Sequence, residues 1–486
     1  MSNTSEQEIH AATDNNGFQA KLLQSPEHHI FCTVRPPWTW IMNDISDVVN
    51  EHPQQAHMTL METYQELPSG KIAASNTNTN NSTPSKPNRI KRRQKTRSAS
   101  ATQATLRVDV VENNNNGTGD NGGNETSWKL LQSFHGTSEA FDGLEDKDEF
   151  VRTLKRCRCE HLELSPPSVL INWDVSATEC HNLVGDSMPA LLGNDPSNPT
   201  SIGVLKEPMG KSGAGVFFVH NAQEIHEIME RNRKRAAEET GFLDDLIAQK
   251  GRIPSWAHLL FFMTPLVLLL ATVLQAEVKP CLLVRDRRKF HIRTYVACIE
   301  NVLLEGEANE EDLMRQFIYD RHEIRIANGS VPEEETTDRD RNVHIMDATA
   351  ERKLIREEPE LLKRSLNKKV ELFAAQIFGK HLRPDIERRI AMSASMEEEN
   401  NGTKNVPHKF VVAGLDIMVT EDERIYLLEV NVNPSAPTRE FVSPQFQKYL
   451  LNFQSDLIEL VTTRGESAKW PNSRFVSTES VLKRKL

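Results

Sequence analysis

Six cysteines among 486 residues are too few to staple a chain of this length, so a disulfide framework is excluded. A reducing, intracellular setting is the expectation. Cys157-x-Cys159 with His161 fits no zinc spacing, and no second pair follows. A basic balance is missing too: the net charge of −11 argues against a general nucleic-acid binder, and no nucleic-acid partner is expected. The first residues, MSNTSEQEIH, lack a positive n-region and an apolar h-region, so no signal peptide is expected. His-Arg-Asp and Asp-Phe-Gly occur nowhere, which removes the protein-kinase signature. A Walker A loop fails as well, because Leu205 stands where the first glycine before Gly210-Lys211-Ser212 would have to be. No serine or cysteine sits in a triad-like setting.

Chemistry concentrates in three stretches. In GLDIMVTEDERIYLLEVNVNP, Gly414 to Pro434, two apolar strands, Leu415–Val419 and Ile425–Val430, flank a polar turn, which predicts a hairpin. Asp416 and Glu429 interrupt the apolar runs, and Asn431 follows Glu429 at period two, on the same strand face. Two carboxylates and an amide oxygen make a hard-oxygen set suited to Mg²⁺, whose other ligands are commonly water and substrate phosphates. Asp416→Asn and Glu429→Gln, both nearly isosteric, are expected to remove Mg²⁺-dependent turnover with little effect on folding.

In Ile202 to Val219, a strand delivers Lys206. The loop Gly210, Lys211, Gly213, Gly215 follows, then a second strand, Val216–Val219. Such a loop lays backbone N–H groups over phosphates, with a lysine as point charge, though a plain hairpin has the same pattern. In Val284 to Val296, VRDRRKFHIRTYV, Lys289, His291 and Arg293 share one strand face. Cations so placed repel unless an anion joins them, and a triphosphate or an acceptor carboxylate would serve.

These stretches, in this order, resemble the tubulin-tyrosine-ligase-like family. The matches are Leu205-Lys206-Glu207-Pro208 with its glycine loop, Gln275, Arg288-Lys289-Phe290-His291-Ile292-Arg293, Asp416-Ile417-Met418, and Leu428-Glu429-Val430-Asn431-Val432-Asn433-Pro434. They span about residues 150–460. The resemblance implies an α/β (α+β) ATP-grasp fold and ATP with Mg²⁺ as cofactors. On it, Lys206 touches ATP phosphates under the glycine loop, Gln275 lies in the adenine hinge, and Asp416, Glu429 and Asn431 hold Mg²⁺. Lys289 and Arg293 contact the terminal phosphate and the acceptor carboxylate, and Arg325 contacts substrate. The implied reaction activates a protein carboxylate as an acyl phosphate for attack by a free amino acid: tyrosine, glutamate or glycine. Tubulin or another acidic protein is the implied acceptor, and a cytoplasmic, microtubule- or cilium-associated location goes with it. Three of these residues depart from the family: His291 where Asp is usual, and Ala276 and Glu277 where a Lys-Tyr pair is usual. A small-molecule carboxylate–amine ligase and a catalytically inactive ATP- or microtubule-binding protein are alternative readings of the same residues.

Four segments are expected: a mostly disordered extension, 1–127, rich in Asn, Thr, Ser and Gly after about Ser69; an N-terminal subdomain, 128–200; the ATP-grasp core, 201–462; and a flexible polar tail, 463–486. The apolar run Ala257–Leu274 is at the lower edge of membrane-spanning length. A single span would put Lys206 and Asp416 on opposite sides of a bilayer, so membrane insertion is not expected. Against the family, 257–272 reads as an insertion, either a retained non-coding stretch or a buried or membrane-dipping hairpin. Helices are expected over Leu361–Phe378 and after Pro444, with a linker over Ser393–Pro407.

Overall fold

Alternation of side chains organises the molecule around one long strand. The computed structural model describes residues 139–159, 162–172, 175–188, 203–207, 215–234, 271–300, 313–332, 341–344, 346, 349–401, 408–434 and 442–484. It also describes strands β1 (His28–Val34), β2 (Met58–Leu60), β3 (Leu106–Asn114) and β4 (Ser127–His135). These first strands join a sheet, and β1 to β3 lie within the segment read as mostly disordered. The sequence reading did not anticipate them; the rest of 1–127 lies outside the described residues.

A small antiparallel sheet contains β5 (Ser168–Ile171), β6 (Gly203–Lys206), β7 (Val216–Val219) and β8 (Thr272–Ala276), in the order β5-β8-β6-β7. Ile171, Leu205, Val219 and Leu274 pack on Cys180 and Val184 of the helix Ala177–Ser187, and on Ile225 and Met229 of a helix over 222–234. β8 begins inside the apolar run, and Ala271 to Leu274 are buried core residues. Residues 257–270 lie outside the described ones. Among the described residues, no helix is long and apolar enough to cross a membrane.

The large sheet adds β9 (Leu283–Val284), β10 (Arg288–Glu300), β11 (Met314–Tyr319), β12 (Glu323–Ser330), β13 (Glu351–Leu354), β14 (His408–Val419), β15 (Ile425–Val432) and β16 (Phe475–Ser477). Its main path is β13-β12-β10-β14-β4-β3-β1-β2, with β15 on β14 and β16 on β11. β10 is the axis. One of its edges pairs β14, and the other pairs β12 along its first half and β11 along its second.

Successive residues of β10 point to opposite faces. Ile292, Val296 and Cys298 enter the core beneath the helices Leu366–Gln376 and Arg383–Asn401, with Val370, Phe373 and Ile386. Tyr295, Ala297 and Ile299 face the helix Pro444–Thr462, whose Phe446, Leu450, Phe453, Leu457 and Leu460 are all buried, as their spacing predicts. Earlier along that second face stand Lys289, His291 and Arg293. One strand face is therefore charged at its start and apolar at its end.

Three expectations are corrected. The helix expected over Leu361–Phe378 is interrupted at Ser365, whose φ of 56° cannot continue a right-handed helix. As a result Leu362 is 51% exposed rather than part of the buried stripe. The linker expected over Ser393–Pro407 is helical as far as Asn401, the end of Arg383–Asn401. The tail after Gly465 is packed, not loose: β16 pairs with β11, and Phe475 and Val481 are buried. Two apolar residues among many polar ones escaped notice in the sequence.

Gly465 makes that return possible. It ends the helix Pro444–Thr462 at φ +85°, donating its N–H to Leu460 O at 2.8 Å, and a Cβ there would lie 2.2 Å from Phe317 Cζ. Gly465→Ala is expected to cost about 1–3 kcal/mol through crowding and backbone strain, read as a lower urea midpoint.

Candidate functional site

The hairpin predicted at 414–434 forms, with β14 and β15 joined by residues 420–424. A register irregularity after Asp416 sets Asp416 opposite Glu429, and Gly414 opposite Asn431. On its other side Asp416 faces Arg293 of β10, and Arg293 in turn faces Glu323 of β12. Four strands thus carry one row: Glu429, Asp416, Arg293, Glu323. Beside it runs a second, His291 of β10, Arg325 of β12 and Arg352 of β13.

Arg293 reaches Asp416 with two nitrogens, Nε to Oδ1 and Nη2 to Oδ2, the latter at 2.6 Å. The bare Gly414 beside it lets the arginine lie flat, because a Cβ there would stand 2.9 Å from Arg293 Cδ. Burial opposes ionisation of Asp416, yet Arg293 more than offsets it and holds the carboxyl well below the usual range. Burial likewise disfavours the Arg293 cation, and Asp416 restores it.

Glu323, fully buried, is the hub the sequence reading missed. Its Oε1 accepts from Arg325 Nε at 2.6 Å and Arg352 Nη1 at 3.0 Å, and its Oε2 from Tyr295 Oη at 3.0 Å. Burial would raise its pKa, but Arg325 and Arg352 bring it down to about 2. The signal available was the alternation Glu323-Ile324-Arg325; Arg352, from the strand Glu-Arg-Lys-Leu, carried none. Burial lowers His291 to about 4, so it is neutral near pH 7. Its Nε2 lies 3.4 Å from Asp416 Oδ1 without hydrogen-bond geometry, and Arg352 Nε is also buried with no hydrogen-bond partner among the described residues.

The cation repulsion anticipated on β10 is therefore relieved inside the chain. Asp416 holds Arg293, burial discharges His291, and Lys289 donates to Glu277 Oε1 at 2.7 Å.

Lys206, at the end of β6, comes from the small sheet. Burial pushes its ammonium down, while Glu429 and, more weakly, Asp416 of the large sheet pull it up against the like charge of Lys147, so the lysine lies within electrostatic range of the carboxylate row. Gln275 of β8 is buried and donates to Ser168 Oγ at 3.4 Å. Gly215 closes the glycine loop, with its carbonyl accepting from Glu207 N at 2.8 Å. Gly210, Lys211 and Gly213 lie outside the described residues.

Asn431 Nδ2 donates to Asp416 Oδ2 at 3.1 Å and Glu429 Oε1 at 3.4 Å, an electropositive group between two carboxylates. Turned over, the same amide presents oxygen beside them, and an all-oxygen set of this kind fits a hard cation. With both Asp416 oxygens on Arg293, Glu429 and Asn431 are the freer ligands. Among the described residues, no group of three or more His, Cys, Asp or Glu side chains could hold a metal ion.

A small antiparallel sheet that supplies a lysine and a larger one that supplies carboxylates and arginines fit an ATP-grasp type of protein. The sequence model of the Tubulin-tyrosine ligase family matches residues 127–461, more than half of the chain, and the chain belongs to that family. Membership supports ATP-dependent ligase-type activity on a protein or amino acid substrate. No curated protein matches the chain.

Proposed function

We propose that this protein is an ATP- and Mg²⁺-dependent ligase that joins a free amino acid to a carboxylate of a protein, with an acidic tubulin tail as acceptor. The observation that carries the reading is the row Glu429, Asp416, Arg293, Glu323, with Lys206 in electrostatic range of its first two members, within the span that matches the family. In the reaction an acceptor carboxylate oxygen attacks the terminal phosphorus of ATP, the bond to the bridging oxygen breaks, and ADP leaves. The amino acid's nitrogen then attacks the acyl carbon, phosphate leaves, and the nitrogen loses a proton. Phosphoryl transfer of this sort needs positioning and charge neutralisation rather than a covalent nucleophile.

The roles follow from chemistry. Lys206 and Lys289 bind phosphate oxygens as point charges, with Gln275 in the adenine hinge and the Gly210–Gly215 loop over the phosphates. Arg293, fixed by Asp416, and Arg325, fixed by Glu323, present planar donors to carboxylates of the acceptor and of the amino acid. Glu429, Asn431 and Asp416 would hold Mg²⁺, which supplies neutralisation of phosphate charge when bound. A ligase for microtubule tails works in the cytoplasm, at microtubules or cilia.

The test is incubation of the full chain with ATP, Mg²⁺ and tubulin, adding each labelled amino acid in turn. Incorporation of one of them into tubulin is expected. ATP binding with no incorporation of any amino acid would favour the binding-only alternative, and ligation of free carboxylates without protein would favour the small-molecule one.

A further inference from the structure

Lys289 is held more tightly than a waiting phosphate ligand needs to be. Its ammonium donates to Glu277 Oε1 at 2.7 Å and to His344 Nδ1 at 2.9 Å, and the Lys289 and Glu277 side chains are 8% and 9% exposed. An ammonium has three N–H bonds, so one remains for anything else. Glu277 follows directly on β8, and its other oxygen pairs with Lys279 Nζ at 3.0 Å. Burial would raise the Glu277 carboxyl, but Lys289 and Lys279 bring it below its ordinary range, so it is a full anion. His344 also stacks against Phe218 of β7, with ring centroids 4.6 Å apart, so the contact joins the glycine-loop sheet to β10.

We propose that Glu277 is a positioning residue that competes with the terminal phosphate of ATP for Lys289: it fixes the ammonium between the two sheets and lowers the site's preference for a triphosphate. The proposal rests on the ligase reading, in which Lys289 meets that phosphate. When the phosphate arrives, Lys289 is shared or released, and Glu277 retains Lys279 as its counter-ion. A carboxylate next to a phosphate site repels the ligand at short range, while glutamine there still accepts a hydrogen bond from Lys289 and keeps its orientation.

The experiment measures dissociation constants of ADP and of a non-hydrolysable ATP analogue, with Mg²⁺, for the full wild-type chain, Glu277→Gln and Glu277→Ala. Glu277→Gln is expected to tighten the triphosphate roughly tenfold, the difference between a charge-assisted and a neutral hydrogen bond, and to leave ADP nearly unchanged. Glu277→Ala moves the triphosphate-to-diphosphate preference in the same direction. That preference is a ratio within each variant, so partial loss of folded protein cancels. An equal shift for both nucleotides, no shift, or a weaker triphosphate overturns the proposal while leaving the ligase reading intact. Failure of the wild-type chain to bind either nucleotide overturns the ligase reading, and this proposal with it.

Discussion

Asp416→Asn is expected to destabilise the fold by about 3–5 kcal/mol, the cost of leaving a buried charge without its partner. From the sequence alone the swap is mild, since it is nearly isosteric and the aspartate reads as a metal ligand. The structure reverses this, because both Asp416 oxygens bind Arg293, itself 4% exposed. An asparagine leaves the guanidinium with one neutral acceptor and, for counter-charge, only Glu323 across on β12, which Arg325 and Arg352 already occupy. Glu429→Gln provides the contrast: Glu429 is half-buried, it accepts a 3.4 Å bond from the neutral Asn431 amide, and the substitution should cost under about 1 kcal/mol. Urea midpoints at neutral pH separate the two. Equal midpoints for the two variants would mean that the Arg293–Asp416 pair does not contribute as argued.

Stability is also expected to fall steeply as pH drops from 6.5 to 4, before the carboxylates protonate. Burial lowers both His291 and His322 from 6.5 to about 4. In that window the unfolded chain takes up protons that the folded chain refuses, so the stabilisation is complete above pH 6.5 and lost by about pH 4. At about 1.4 kcal/mol per pH unit, each histidine accounts for roughly 3 kcal/mol. Neutral His322 is hydrogen-bonded on both sides, Nε2 donating to Asn367 O at 3.2 Å and Nδ1 accepting from Thr294 Oγ1 at 2.7 Å; the Asn367 bond pulls the pKa up, and burial outweighs it. Denaturation midpoints between pH 4 and 8 should show the slope in wild type and a shallower one in His322→Asn. A flat wild-type profile would contradict this assignment. Glu323, brought down to about 2, adds its own loss at lower pH, as acid falls below 4.5.

Much of the site was legible because it is local. Asp416, Glu429 and Asn431 lie on one hairpin, whose period-two spacing determines which side chains share a face, and Lys206 ends an apolar strand. The partners were not legible, because they come from distant parts of the chain. Nothing in the sequence brings Glu323 beside Arg352, or Glu277 and His344 onto Lys289; those pairings are set by strand order about β10. The same limit explains the tail, where β16 completes a sheet begun at β11. The broken helix has a different cause: hydrophobic spacing continues through Ser365 although the backbone does not.

The central claim is that a protein carboxylate is activated by ATP in this site, and trapping that intermediate tests it most directly. The full chain would be incubated with ATP, Mg²⁺ and tubulin, with hydroxylamine in place of the amino acid, and tubulin peptides examined by mass spectrometry. Hydroxamates on acidic side chains or the terminal carboxylate, formed with ADP and absent in Glu429→Gln, are the expected result. ATP bound by the folded protein, with neither ADP nor hydroxamate formed, would contradict the account.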